Sequence, residues 1–139
     1  MSEKNRLVFA LSLVLLISVG CSGGKVGLSG KVVYSDDKSP LPTGTVCLET
    51  DTFMARGTIG PNGTFVVGSV GEKDGLPPGK YRVFISGAEK VVSVNDNDVV
   101  TTEPLIDPKF TSGVTSGLTL DITSTTRNFN IEVDRYDRR

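Results

Sequence analysis

Few side chains in this sequence are equipped for chemistry. There are two cysteines, Cys21 and Cys47, and no histidine or tryptophan in 139 residues. Without histidine, the commonest general base near neutral pH and the commonest metal ligand are both missing. A thiol becomes a strong nucleophile only beside a base or a cation. Cys47 sits in Thr45-Val46-Cys47-Leu48-Glu49, which reads as a strand, so it is expected as a small buried hydrophobe. Two carboxylate clusters remain. Asn95-Asp96-Asn97-Asp98 offers the oxygen ligands that Ca²⁺ prefers, but the Gly and Glu spacing of an EF-hand loop is absent, so a polar turn is expected. Asp36-Asp37 reads the same way. Asn62-Gly63-Thr64 has the form of a glycosylation acceptor, yet its Asn-Gly pair reads as a hairpin turn. No catalytic residue, cofactor or metal site is expected.

Cys21 carries a sharper signal. Lys4 and Arg6 precede an uncharged, Leu-, Val- and Ile-rich run from Leu7 to Gly20. That run is short for a bilayer span, which takes about 20 apolar residues, and has the shape of a secretory signal. Ile17-Ser18-Val19-Gly20-Cys21 then resembles a lipobox, in which small residues precede a cysteine whose thiol takes the lipid. Ser18 stands where Leu is usual. The alternative is an ordinary signal peptide or an uncleaved anchor followed by an unrelated cysteine. Cleavage removes Lys4 and Arg6 from the fifteen basic residues and Glu3 from the sixteen acidic ones, leaving 13 and 15, net −2. Palmitate-type acyl chains contribute about 0.8 kcal/mol per buried CH₂, so several chains make a firm membrane anchor. Residues 21–27 would be the lipidated Cys and a short Gly/Ser tether reaching at most ~20 Å. By analogy with enteric lipoprotein sorting, Ser22, a non-Asp residue after the lipid site, favours the outer membrane. The localisation expected is the cell envelope.

The remaining elements must position whatever the protein presents. Leu28, Val32 and Tyr34 share one phase, as do Val46 and Leu48, Phe65 and Val67, and Tyr81, Val83 and Ile85. Leu118, Leu120 and Ile122, then Phe129, Ile131 and Val133, alternate with polar residues. Such period-two patterns mark strands with one dry and one wet face. A weaker strand is expected over Phe53 to Ile59. Glu89 to Val94 reads as a hairpin partner of the Lys80–Ile85 strand or its continuation past a bulge. Sixteen Gly and seven Pro supply the turns. No amphipathic helix is evident. The fold expected is all-β, a single Greek-key β-sandwich of seven to eight strands over residues 28–134, with a charged tail at 135–139.

Three pieces resemble the carboxypeptidase regulatory-like, or transthyretin-like (prealbumin-like), module. They are Gly30-Lys31-Val32-Val33-Tyr34 with Pro40-Leu41-Pro42-Thr43-Gly44-Thr45-Val46, Gly60-Pro61-Asn62-Gly63-Thr64-Phe65, and Gly75-Leu76-Pro77-Pro78-Gly79-Lys80-Tyr81-Arg82-Val83. The match spans about Leu28 to Ile85, and residues 115–131 are similar to small lipoproteins that carry the module. The resemblance implies a β-sandwich and says little about activity. The family's hydrolase branch uses His residues and a C-terminal Tyr-Arg-Gly-Ser motif. This chain has no His and ends Asp134-Arg135-Tyr136-Asp137-Arg138-Arg139, so that branch is not implied.

The function expected is that of a non-enzymatic, lipid-anchored envelope protein acting as a structural or protein-interaction module. The alternative is a binding module for an envelope glycan or other small ligand through residues 101–117. A 17-residue irregular connection is unusual in a compact domain and is often functional. Its apolar residues Leu105, Ile106 and Phe110 are the candidate contacts, or else they cap the core. Phe53 and Phe84 are further aromatics whose phase leaves them open to exposure. Near-zero charge without a basic block argues against nucleic acid as a partner. The tail residues Arg135, Arg138 and Arg139 could touch anionic lipid, but Asp134 and Asp137 largely cancel them.

Overall fold

The computed structural model describes residues 24–68 and 74–139. The signal segment, Cys21 and the first part of the tether lie outside the described residues. The architecture is all-β. Its strands are β1 (Leu28–Tyr34), β2 (Thr45–Glu49), β3 (Met54–Thr58), β4 (Thr64–Val66), β5 (Gly79–Ser86), β6 (Glu89–Val94), β7 (Val100–Pro104), β8 (Leu118–Ile122) and β9 (Thr126–Val133). One 3-10 turn, Pro108–Thr111, precedes β8.

Seven of these strands form two sheets, in the orders β4-β1-β9 and β3-β2-β5-β8. The four-stranded sheet is antiparallel throughout. In the three-stranded sheet β1 runs antiparallel to β4 and parallel to β9. The alternations explain the pairing. Leu28, Val32 and Tyr34 of β1, Val46 and Leu48 of β2, Tyr81, Val83 and Ile85 of β5, and Ile131 and Val133 of β9 all point into one core cluster between the sheets. Removing that apolar area from water is the main force holding the sheets face to face. Gly63 closes the β3–β4 turn at φ 78°, where a Cβ would lie 2.6 Å from the Val32 carbonyl oxygen. Only glycine suits both the positive φ and the close approach.

The registers define two ends. At one, Val26 bridges Leu76, Lys25 pairs with Asp74 at 2.9 Å, and the Thr125 hydroxyl accepts from the Gly27 amide. The chain leading back toward Cys21 leaves here. At the other, Leu105 N–H donates to the Ala88 carbonyl at 2.9 Å and Ile106 bridges Arg135. From this second end projects a separate antiparallel hairpin, β6 with β7.

That hairpin corrects two expectations. Glu89–Val94 neither pairs with β5 nor continues it. Gly87 takes φ 65°, Ala88 is buried, and the chain turns away to pair with β7. Nor is 101–117 one irregular connection, because its start is β7 and its middle is the 3-10 turn capped by Asp107, whose carboxylate accepts from the Lys109 amide.

Candidate functional site

The outer face of β2, β5 and β8 carries a polar concave surface. Because residues alternate sides along a strand, burying Leu48, Tyr81 and Val83 turns Glu49, Lys80 and Arg82 outward. The register then sets Glu49 opposite Arg82, Arg82 opposite Thr119, and Lys80 opposite Asp121. These residues, with Thr50 and Asp51, line an open groove of about 510 Å³. That volume lies within the range of small-ligand clefts.

Arg82 organises the groove. Its Nη2 donates to Asp51 at 3.1 Å, and Glu49 Oε1 lies 3.5 Å from Nε. The Nε atom is shielded from solvent and makes no hydrogen bond, although the side chain as a whole is well exposed. Gly113 closes one side: a Cβ there would fall 2.2 Å from Glu49 Oε1 and 3.3 Å from Arg82 Cβ. The neighbouring Ser116 hydroxyl is buried and donates to the Val83 carbonyl, pinning this loop against β5. Tyr81 packs inward beneath the groove, edge to face with Phe53 at 6.2 Å, and donates to the Pro77 carbonyl. Burial pushes its phenol pKa up. Chemically the groove offers donors from Arg82, Lys80 and the threonines, and acceptors from three carboxylates. That set suits holding a polyhydroxylated or zwitterionic ligand.

Ile106 and Phe110 are buried members of the core cluster, and Leu105 packs half-buried against it. Their side chains therefore fill the hairpin end of the core, and solvent meets Val114 (83 % exposed) of the same segment. Phe53 and Phe84 are half-buried. Cys47 is buried, its Sγ 3.6 Å from Ser86 Oγ, and burial raises its thiol pKa. Among the described residues no three His, Cys, Asp or Glu side chains gather as a metal site. Asn95-Asp96-Asn97-Asp98 is the β6–β7 turn, where Asn95 Oδ1 accepts from the Asn97 and Val99 amides.

Asp36 and Asp37 join the tail. Arg135 bonds Asp36 at 2.8 Å, Asp37 at 2.9 Å and the Ser39 hydroxyl at 2.8 Å, and stacks on the Tyr34 ring at 3.7 Å. The Ser39 hydroxyl and amide, with Arg135 nearby, hold the Asp37 carboxyl at about 2. Arg138 binds Glu103 of the hairpin at 2.7 Å and Arg139 binds Asp137 at 2.7 Å.

The fold and this groove define an all-β sandwich with a polar outer cleft and a projecting hairpin. No family model matches the chain, and no curated protein matches it. Among solved structures, a 9R-lipoxygenase from Cyanothece PCC8801 aligns over 81 % of this chain and 17 % of its own, at 16 % identity and a TM-score of 0.41. The chain thus spans under a fifth of that enzyme's length, and a likeness this slight carries no argument about activity.

Proposed function

We propose that this chain is a lipid-anchored envelope protein, held through Cys21, that acts by contact with another protein and not by catalysis. The observation supporting the reading is the polarity of the sandwich. The segment leading to Cys21 leaves at the Val26–Leu76 end, and the exposed β6–β7 hairpin leaves at the opposite end. A short tether would hold the first end at the membrane and point the hairpin away from it. The lipobox-like Ile17–Cys21 stretch supports the anchor and Ser22 supports an outer-membrane location. The motif residues quoted above support reading the sandwich as a transthyretin-like module. The test is metabolic labelling with an alkyne fatty acid. Label on the wild type, none on Cys21→Ser, and a precursor trapped by globomycin are expected. An unlabelled wild type sinks the anchor.

A second reading, a binding module for an envelope glycan, is favoured by the groove around Arg82, which borders the 101–117 segment at Gly113. Glycan-array binding by the full chain that Arg82→Ala abolishes would establish it, and an array without signal would remove it.

A further inference from the structure

Hairpin β6–β7 has two faces of opposite character. Directly opposed residues share a face and successive residues alternate. The register sets Lys90 opposite Glu103 and Ser93 opposite Thr101 on one face. It sets Val91 opposite Thr102 and Val94 opposite Val100 on the other, with Val92 as the extra residue at the register shift. The polar face is engaged: Glu103 binds Lys90 at 3.2 Å and Arg138 at 2.7 Å. The valine face is bare, with Val91, Val94 and Val100 at 62 %, 58 % and 52 % exposure. Both strand edges are blunted, β6 by the bulge at Val92 and β7 by Pro104. The face, then, is the free surface.

Charge selects the occupant. Glu89 lies on the valine face at its base, accepting from the Thr102 hydroxyl at 2.7 Å, and Asp96 and Asp98 form the tip. None of the three is ion-paired to a described residue. A second copy stacked in parallel would set tip on tip. One stacked antiparallel would set Glu89 against Asp96 and Asp98. Either arrangement opposes like charges. Area argues the same way. A fully buried valine removes roughly 60–120 Å² of apolar surface from water, so the three half-exposed valines of this face offer on the order of 150 Å² per copy. A standard interface takes about 800 Å² per partner. A small apolar patch with a carboxylate at its base and two at its tip suits a partner of opposite sign, which the charges steer and orient.

We infer that the valine face of β6–β7 docks a protein segment whose apolar ridge is bracketed by lysine or arginine. This rests on the reading of the chain as a contact module and names the chemistry of its partner. Two short synthetic peptides serve as probes, a Val-Thr-Val-Thr-Val core flanked by Lys and the same core flanked by Glu. Each is titrated into nitrogen-15-labelled full chain in neutral detergent micelles. The Lys peptide shifts the amides of residues 91–102 and binds about tenfold tighter than the Glu peptide, a difference of about 1.4 kcal/mol. The preference shrinks as ionic strength rises from ~0.01 to ~1 M and the Debye length falls from ~30 to ~3 Å. Asp96→Asn with Asp98→Asn shrinks the preference, and Val94→Ser with Val100→Ser removes binding. Both double variants keep the wild-type unfolding midpoint, because all four side chains are already exposed.

The inference is overturned if the two peptides bind equally, or if the shifts fall off the hairpin. A dimer that Val94→Lys dissociates, or anionic vesicles bound through the hairpin, would also overturn it. Such a failure with Cys21 still labelled leaves the anchored-contact reading on another surface. Lys-peptide binding without a Cys21 label leaves the docking face standing and removes the anchor alone.

Discussion

Replacing Gly30 with alanine tests a close backbone approach between β1 and β9. Gly30 sits in β1 opposite Phe129 of β9, where the register shifts after Leu28. A Cβ at Gly30 would lie 1.8 Å from the Phe129 carbonyl oxygen and 2.7 Å from its carbonyl carbon. Ordinary contact begins at 3.4 Å, so the strands must part by about 1.6 Å there. The obstacle is backbone, so no rotamer change relieves it. Losing two ladder hydrogen bonds at about 1 kcal/mol each, with overpacking strain of about 1–3 kcal/mol, predicts a loss of about 3–5 kcal/mol. A domain of this size is stable by only about 5–15 kcal/mol, so Gly30→Ala should unfold at far lower denaturant. Gly60→Ala is the control. Its Cβ meets nothing nearer than 3.6 Å, and it should stay within about 0.5 kcal/mol of wild type. The assay is guanidinium unfolding followed by circular dichroism. A Gly30→Ala midpoint indistinguishable from that of Gly60→Ala would refute the close β1–β9 packing.

Asp37 should titrate by NMR at about 2, and Ser39→Ala should move it toward 3.8, since the Ser39 hydrogen bonds are the main cause of its depression. Because the folded pKa lies below the unfolded one, this carboxylate stabilises the fold above pH 3.8, and its contribution fades as pH falls through about 2. Cys47, buried with a raised pKa, should react with a thiol reagent only as fast as the sandwich opens; a burst of labelling in native buffer would contradict its placement. Gly113→Ala should push Glu49 off Arg82, since only the flexible Glu49 carboxylate stands 2.2 Å away. A small stability change, under about 1 kcal/mol, is expected, with groove crystallography as the readout. Ile131→Ala should cost about 2–5 kcal/mol by leaving a core cavity, measured by the same unfolding assay.

Much of the fold was legible because its strands are half wet. Val46 and Leu48, Tyr81, Val83 and Ile85, and Ile131 and Val133 have the inward phase that their alternation announces. The β6–β7 hairpin was harder to read. It covers no core, so its Val residues follow no in-out pattern, and all of 91–102 is exposed. The β-branched run Val99-Val100-Thr101-Thr102 was the available signal for β7. Leu105, Ile106 and Phe110 show the reverse case, an irregular segment whose apolar residues close the core end. The groove was hidden for a different reason. Glu49, Arg82 and Asp121 come from three strands, and only the register brings them together.

The parallel pairing of the first strand with the last has a kinetic consequence. Leu28 meets Thr126 and Tyr34 meets Val133, so β1 finds its neighbour only after the seven intervening strands have been made. Loop closure over that span must come before the contacts reward it, which slows folding to the millisecond-to-second range typical of sandwiches. A nascent chain without β9 leaves one side of β1 unpaired and omits Ile131 and Val133 from the core. The sandwich core therefore closes only once β9 is available to pair with β1.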